Sequence, residues 1–147
     1  MKIKDMFSSF KNSLGETIGY IDILGPIGRG SMFSDEFSAK QFIDEFRKLE
    51  KECSQIVLNI SSEGGSVFEG QAIASEIKAS KTKTVCKIGA LCASIATVIS
   101  SACDKVIMPE NALFMTHAPL SSVDGNAHDL RETADLLDKI EEISSCS

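Results

Sequence analysis

The chain has 147 residues, which is the length of one domain. Apolar residues make up 43% and charged residues 24%, as in ordinary globular proteins. The 15 basic and 21 acidic residues leave a net charge of −6, which argues against a nucleic-acid-binding surface because such affinity depends on clustered Lys and Arg.

The cysteine content and the uncharged runs narrow the class of protein further. Five cysteines, an odd number with no C-x-x-C pair, argue against a disulfide framework and against a zinc site, so we expect buried, reduced thiols. The longest uncharged run, 88–103, has 16 residues, fewer than the about 20 that span a bilayer. Residues 1–12 contain no continuous apolar stretch. These features predict a cytoplasmic protein that does not bind membranes.

The first third of the chain predicts a leader, a strand and a surface helix. Residues 1–15 have only a weak amphipathic pattern, so we expect a loosely ordered leader before a single domain over 16–147. Alternating apolar residues in 17–24 (TIGYIDIL) predict a strand. The sequence SAKQ, starting at Ser38, is typical of a capping box and predicts an amphipathic helix over about 38–51.

The middle of the chain alternates strands and helices. A β-branched run predicts a buried strand over 55–60, and a second capping box, SVFE, predicts a helix from Ser66 to about Ser80. The next elements are expected to be a strand over 84–89, a helix of small residues over 93–102, and strands over 105–108 and 112–116. This alternation predicts an α/β fold whose strands pair mainly in parallel through right-handed crossovers.

The last helix differs from the others in charge. Asn126 is a suitable N-cap, with Asp129 at the third helical position. Between His128 and Glu142 there are six acidic and two basic residues, and a narrow apolar stripe follows the helix through Leu130, Ala134, Leu137 and Ile140. Two interpretations stay open: a solvated outer helix, or an arm that pairs with another subunit through the stripe.

Three candidate functional features follow predicted strands, where open α/β sheets place their ligands. The SSEGGS turn over 61–66 exposes amide groups before a helix, Ser94 begins a helix between small neighbours, and His117 ends an apolar strand. Each also has a plain structural interpretation: a connector, a packing serine and a core or edge histidine. Together they supply the nucleophile, base and N–H donors that acyl transfer needs.

Three stretches of the sequence resemble the proteolytic-subunit family of Clp protease. They are 59–70 (NISSEGGSVFEG), 89–96 (GALCASIA) and 106–119 (VIMPENALFMTHAP). The phage-type, head-maturation branch is the most similar, and the resemblance extends over about 16–143. It implies the ClpP/crotonase fold, with a mainly parallel sheet of βαβ units and a C-terminal handle helix, and a serine endopeptidase that needs no cofactor or metal.

The resemblance also implies a role for each matching residue. Ser94 matches the nucleophile and His117 the general base, while Gly65 and Ile95 match the residues whose backbone N–H groups form the oxyanion hole. The family binds an extended peptide as an added β-strand. In this sequence the residues beside that strand would be Gly64, Ser66, Val67, Phe68, Leu120, Ser121 and Ser122.

Assembly and partners follow from the same resemblance. Family members form homo-oligomeric rings, commonly of seven subunits stacked in pairs, and their handle helix joins ring to ring. The implied partners are protein substrates, either capsid and scaffold proteins of a phage or chains delivered by an ATP-driven unfoldase. We expect no binding to nucleic acid or to a membrane.

The sequence departs from the family pattern at two places. Glu63 stands where the family usually has proline before the two glycines. The third catalytic residue of the family, an aspartate beyond the handle helix, has no match, and none of Asp124, Asp129, Asp135 and Asp138 occupies its position. Two alternative functions therefore stay open. One is a catalytically inactive ring or scaffold protein, and the other is a crotonase-type acyl-CoA enzyme, which would use the paired N–H groups without Ser94.

Overall fold

The computed structural model describes residues 6–28 and 37–145. The first five residues of the expected leader, and Cys146, lie outside this part of the chain. The helices and strands, in chain order, are β1 Phe7–Lys11, β2 Thr17–Leu24, α1 Ala39–Glu52, β3 Gln55–Ser62, α2 Val67–Ala79, β4 Lys83–Ala93, α3 Ile95–Ser101, β5 Lys105–Ile107, β6 Leu113–Met115 and α4 Ala127–Ser145.

The strands form one mainly parallel sheet, which confirms the predicted α/β class. Its order is β1-β2-β3-β4-β5, and only β1 runs antiparallel to its neighbour. The long strand β4 pairs with β5 through residues 85–87 and with β6 through residues 91–93. Between those two regions the register with β3 shifts, since Ile60 pairs with Ile88 but Ser62 pairs with Cys92. A register shift of this kind bends a strand locally.

The core lies between one face of the sheet and the helices α1 and α2. Ile21, Leu58 and Cys86 occupy neighbouring positions on three strands and are all fully buried. Phe42 and Phe46 of α1 stack on each other with ring centroids 5.1 Å apart and are also fully buried. This arrangement confirms the amphipathic pattern predicted for α1.

The two predicted capping boxes have different outcomes. At α1 the box is present, because Ser38 accepts from the backbone of Gln41 and the Gln41 side chain accepts from the backbone of Ser38. At α2 the predicted box is wrong: Ser66 makes no side-chain cap bond. The carboxylate of Glu69 instead accepts from the N–H of Ala39, 2.7 Å away, and so caps the neighbouring helix α1. The first N–H groups of a helix have no acceptor within that helix, so the N–H of Ala39 at the start of α1 can bind the Glu69 carboxylate.

The segment expected to be a loosely ordered leader contains strand β1. Its residues Phe7–Lys11 pair with β2, and the ring of Phe10 packs edge-on against Tyr20 with centroids 6.0 Å apart. A strand with two polar serines is stabilised here by ladder hydrogen bonds and aromatic contact with its partner. Because these contacts are made with β2, the sequence pattern of residues 7–11 alone does not predict the strand.

The chain divides into two compact units, and the second begins at His117. In that second unit a loop without regular secondary structure leads to α4, whose N-terminus is capped by Asn126 as the sequence predicts. No described side chain of α4 is buried, and Leu130, Leu136 and Ile143 are exposed. Among the described residues, no helix combines the length and apolar composition needed to cross a bilayer.

Candidate active site

A tight glycine turn follows strand β3. Gly64 and Gly65 have φ values of 93° and 145°, which residues with a side chain rarely adopt. The backbone of Ile27 pairs with this turn: its N–H donates to the Gly64 carbonyl at 2.8 Å, and its carbonyl accepts from Ser66 at 2.7 Å. In a trans peptide the carbonyl and the following N–H point in opposite directions. The N–H of Gly65 therefore points away from Ile27.

Ser94 lies in a strained backbone conformation between β4 and α3. Its φ of 55° and ψ of −132° make it the only non-glycine residue with positive φ in the described part of the chain. Its N–H donates to the carbonyl of Met115 at 2.8 Å, and its carbonyl accepts from both the N–H and the hydroxyl of Thr97. The Ser94 hydroxyl makes no cap bond with its helix. A serine at a sharp strand-to-helix turn, with its hydroxyl unused, is typical of activated nucleophiles.

The glycine turn packs directly against Ser94. A Cβ added to Gly64 would lie 2.7 Å from both the Ala93 carbonyl oxygen and the Ser94 Cβ, and 3.2 Å from the backbone nitrogen of Ile95. The N–H of Ile95, at the first position of α3, and the N–H of Gly65 donate to no other backbone group among the described residues. The structure thus brings together a serine and two unused donors of the kind that stabilise an oxyanion.

Helix α2 packs closely against Ile95, the residue that carries one of the two unused N–H donors. Gly70, in α2, is buried so closely against Ile95 that an added Cβ would lie 2.2 Å from the Ile95 Cγ1 atom. The Ile95 side chain is buried in the core. Close packing of this kind restricts where the backbone at the start of α3 can lie.

His117, the predicted base, is the first residue of the second unit. Its side chain is exposed, and its Nδ1 atom lies 2.6 Å from the carbonyl oxygen of Ala118. Because a carbonyl can only accept, this hydrogen bond requires the proton on Nδ1 and leaves Nε2 free to accept one. The role of His117 stays a prediction.

The residues predicted to bind substrate differ in conformation. Gly64 is buried and Ser66 is half-buried, whereas Val67 and Phe68 lie in the first turn of α2, where Phe68 is 62% exposed. In the second unit, the loop predicted to bind substrate is exposed and lacks regular secondary structure, with Leu120 at 84% exposure and Ser121 and Ser122 also exposed. Their contact with a peptide stays a prediction.

The cysteines in the part of the chain that the structure describes do not provide an alternative nucleophile. Four of them, Cys53, Cys86, Cys92 and Cys103, lie in the described part of the chain, where they are buried and free. A hydrogen bond with Cys103, together with burial, raises the pKa of Cys86, and burial raises the pKa of Cys92. Such thiols are unreactive because little thiolate is present. The described residues contain no cluster of His, Cys, Asp or Glu that could hold a metal ion.

Sequence reasoning missed three residues that hold the site together. Ser62 bonds the glycine turn, Ile27 pairs with it, and Thr97 holds the carbonyl of Ser94. The only available signal for Ser62 was its place in the SSEGGS turn. No sequence signal pointed to Ile27, because its role depends on backbone pairing with the glycine turn, which lies far along the chain.

Comparisons with known proteins bear on the family and the fold of the chain. The model of the Clp protease family matches residues 30–144. Among solved structures, a mutant of ClpP1 from Listeria monocytogenes is similar with a TM-score of 0.67 at 21% identity, over 84% of this chain and 66% of that chain. This likeness shows the ClpP fold, in a chain that spans slightly less than two thirds of that relative's length. No curated protein matches the chain.

Proposed function

The chain belongs to the Clp protease family, and we propose that it is a serine endopeptidase subunit in which Ser94 is the nucleophile. The observation that carries this proposal is the strained backbone of Ser94 beside the unused N–H groups of Gly65 and Ile95. Strain of this kind costs about 1–3 kcal/mol and is concentrated at active sites. An inert scaffold would gain nothing from it.

The proposed reaction forms and then hydrolyses an acyl-enzyme. The Ser94 oxygen attacks the peptide carbonyl carbon while its proton passes to Nε2 of His117. The carbonyl oxygen, now negative, accepts hydrogen bonds from the N–H groups of Gly65 and Ile95. The C–N bond then breaks, and the leaving amine takes the proton from His117. Water attacks the acyl-enzyme by the same route, releases the acid and restores Ser94, so no cofactor is required.

Two features support His117 as the base. Met115, which accepts from the Ser94 N–H at 2.8 Å, precedes His117 by two residues, a length of chain that spans at most about 7 Å. The bond from Nδ1 to the Ala118 carbonyl selects the tautomer in which Nε2 is the acceptor. This carbonyl supplies part of what the orienting carboxylate of a triad does.

The proposal extends to the substrates of the subunit and to its assembly into a ring. The resemblance to the head-maturation branch supports capsid or scaffold proteins as substrates in the cytoplasm, with chains delivered by an ATP-driven unfoldase as the alternative. The unburied helix α4, with Leu130, Leu136 and Ile143 exposed, supports pairing between subunits of a homo-oligomeric ring.

Labelling with an alkyl fluorophosphonate tests the proposal, because an activated serine oxygen displaces fluoride from phosphorus. We expect the full chain to be labelled, Ser94→Ala to be unlabelled, and Ser101→Ala, which removes an exposed serine at the end of α3, to be labelled like wild type. A folded wild type that forms rings without labelling would favour the inactive scaffold. Hydrolysis of an acyl-CoA thioester that persists in Ser94→Ala would favour the acyl-CoA enzyme.

A further inference from the structure

The buried hydroxyl of Ser62 occupies a central position in the glycine turn. Ser62 is the last residue of β3 and is only 1% exposed. Its Oγ donates to the carbonyl of Gly25 at 2.6 Å and accepts from the N–H of Gly64 at 3.0 Å. A hydroxyl has one proton and two acceptor sites, so both bonds form together.

These two bonds tie the glycine turn to the loop that follows β2. The N–H of Gly25 donates in return to the carbonyl of Ser61 at 3.0 Å, so the two segments are joined on both sides of Ser62. Two residues later, Ile27 binds the Gly64 carbonyl at 2.8 Å. Gly64 is therefore held at its N–H by Ser62 and at its carbonyl by Ile27, which fixes both peptide planes around it.

We propose that Ser62 is a positioning residue that aims the N–H of Gly65 at the oxyanion formed on Ser94. The inference rests on the proposed function, and Ser62 acts only through Gly64, without touching substrate. The peptide joining Gly64 to Gly65 carries the donor N–H on the side opposite the carbonyl bound by Ile27. When the N–H of Gly64 loses its bond to Ser62, the turn can rotate at two residues that have no side chain to restrict them.

The test compares variants of the full chain by two kinetic measurements. One is the rate of fluorophosphonate labelling, and the other is kcat and KM for an N-acetylated tripeptide amide of aminomethylcoumarin. Removing one oxyanion donor costs about 100–1,000-fold in kcat. For a donor that is misaligned, we expect Ser62→Ala to lower kcat and labelling by about 10–100-fold, with KM within about twofold, because the bond to the oxyanion strengthens only in the transition state.

Two further variants separate positioning from general destabilisation. Ser62→Thr keeps the hydroxyl and should retain most of the labelling rate. Ser61→Ala removes the neighbouring serine, which is half-buried and points to the other face of the sheet, and should behave as wild type. If Ser62→Ala does not fold, Ser62→Cys, which has a similar shape but a weaker hydrogen-bonding group, should show a smaller loss of kcat in the same direction.

The outcomes distinguish this inference from the proposed function. A folded Ser62→Ala whose kcat stays within about threefold of an active wild type, or, where Ser62→Ala does not fold, a Ser62→Cys whose kcat equals that of the wild type, would overturn the role of Ser62 alone. A rise in KM with kcat unchanged would also overturn it, since that pattern indicates lost ground-state binding. A wild type that neither labels nor cleaves would refute the proposed function, and the role of Ser62 with it.

Discussion

The strain at Ser94 predicts that two variants, which both lose the Ser94 hydroxyl, differ in stability. Ser94→Ala removes the hydroxyl but keeps the Cβ that makes φ of 55° and ψ of −132° unfavourable, whereas Ser94→Gly removes both. The hydroxyl makes no cap bond with α3, so neither variant loses a helix cap. The difference between them therefore measures the backbone strain.

The magnitude follows from two opposing terms. Relief of strain should stabilise Ser94→Gly by about 1–3 kcal/mol, while the greater freedom of glycine in the unfolded chain costs about 0.5–1 kcal/mol. The two ranges combine to an advantage of about 0–2.5 kcal/mol for Ser94→Gly over Ser94→Ala, and we expect about 1 kcal/mol. For a chain of this length, about 1 kcal/mol corresponds to about 2–4 °C in Tm. Urea denaturation and thermal melting of both variants give the two quantities.

A matched pair at an ordinary backbone position provides the control. Ser101 is the exposed last residue of α3 and does not have a positive φ. There the order should reverse, with Ser101→Gly less stable than Ser101→Ala by up to about 1 kcal/mol, because glycine is the poorer helix former. If Ser94→Ala were instead more stable than Ser94→Gly by about 0.5–1 kcal/mol, which is the cost of glycine alone, the strain would be absent and would carry no argument for function.

Three further predictions concern packing, pH and thiol reactivity. Gly70→Ala should lower the free energy of unfolding, because its Cβ would lie 2.2 Å from Cγ1 of Ile95. Ile95→Ala removes Cγ1 and so relieves this clash, and the double variant should be destabilised by about 1 kcal/mol less than the sum of the single effects in urea denaturation; strict additivity would contradict this contact. Hydrogen bonds from Thr84 lower the pKa of Asp104 below its ordinary 3.8. Its stabilising effect is present above that pH and is lost as the pH falls through its lowered pKa, so Asp104→Asn should weaken the fall of Tm in acid, and an unchanged acid limb would refute this. The Cys86 thiol, whose pKa is raised by its bond to Cys103 and by burial, should react with iodoacetamide at pH 8 only after denaturation, as judged by mass spectrometry; rapid modification of the native protein would contradict it.

Local signals were sufficient for most helices and strands. The alternation in TIGYIDIL predicted β2 with its observed bounds, Thr17–Leu24, and the capping box at Ser38 located the start of α1. Asn126 located the start of α4 in the same way. In each case the deciding interactions lie within four residues of one another, so the pattern of a single segment contains them.

Elements shaped by distant pairing were predicted less well. β4 was expected to end at residue 89, yet it continues to Ala93, because β6 pairs with its last three residues after the register shift. Strand β1 was not predicted at all, and Glu69 caps α1 instead of its own helix. These features depend on partners about 10 to 30 residues away, and no short window of sequence contains both partners.

The same division applies to the candidate site. The placement of Ser94 at a strand-to-helix junction and the glycine turn over 64–65 could be read from residue types. The backbone strain of Ser94 could not, because the hydrogen bonds that hold this backbone are donated to the carbonyl of Met115 and by Thr97, and the orientation of the glycine turn depends on Ile27. Residue types thus located the candidate residues, while pairing between distant segments set their geometry.

The energy that holds Ser94 in its strained conformation can be compared with the strain itself. Three hydrogen bonds act on its backbone: its N–H to Met115, and its carbonyl from the N–H and the hydroxyl of Thr97. At about 0.5–1.5 kcal/mol each, they contribute about as much as the 1–3 kcal/mol that the strain costs. The hydroxyl of Ser94 takes no part in this balance. The hydrogen bonds thus offset the strain and orient the backbone at Ser94 without using its hydroxyl, and this is the preorganisation that the proposed role of Ser94 as nucleophile requires.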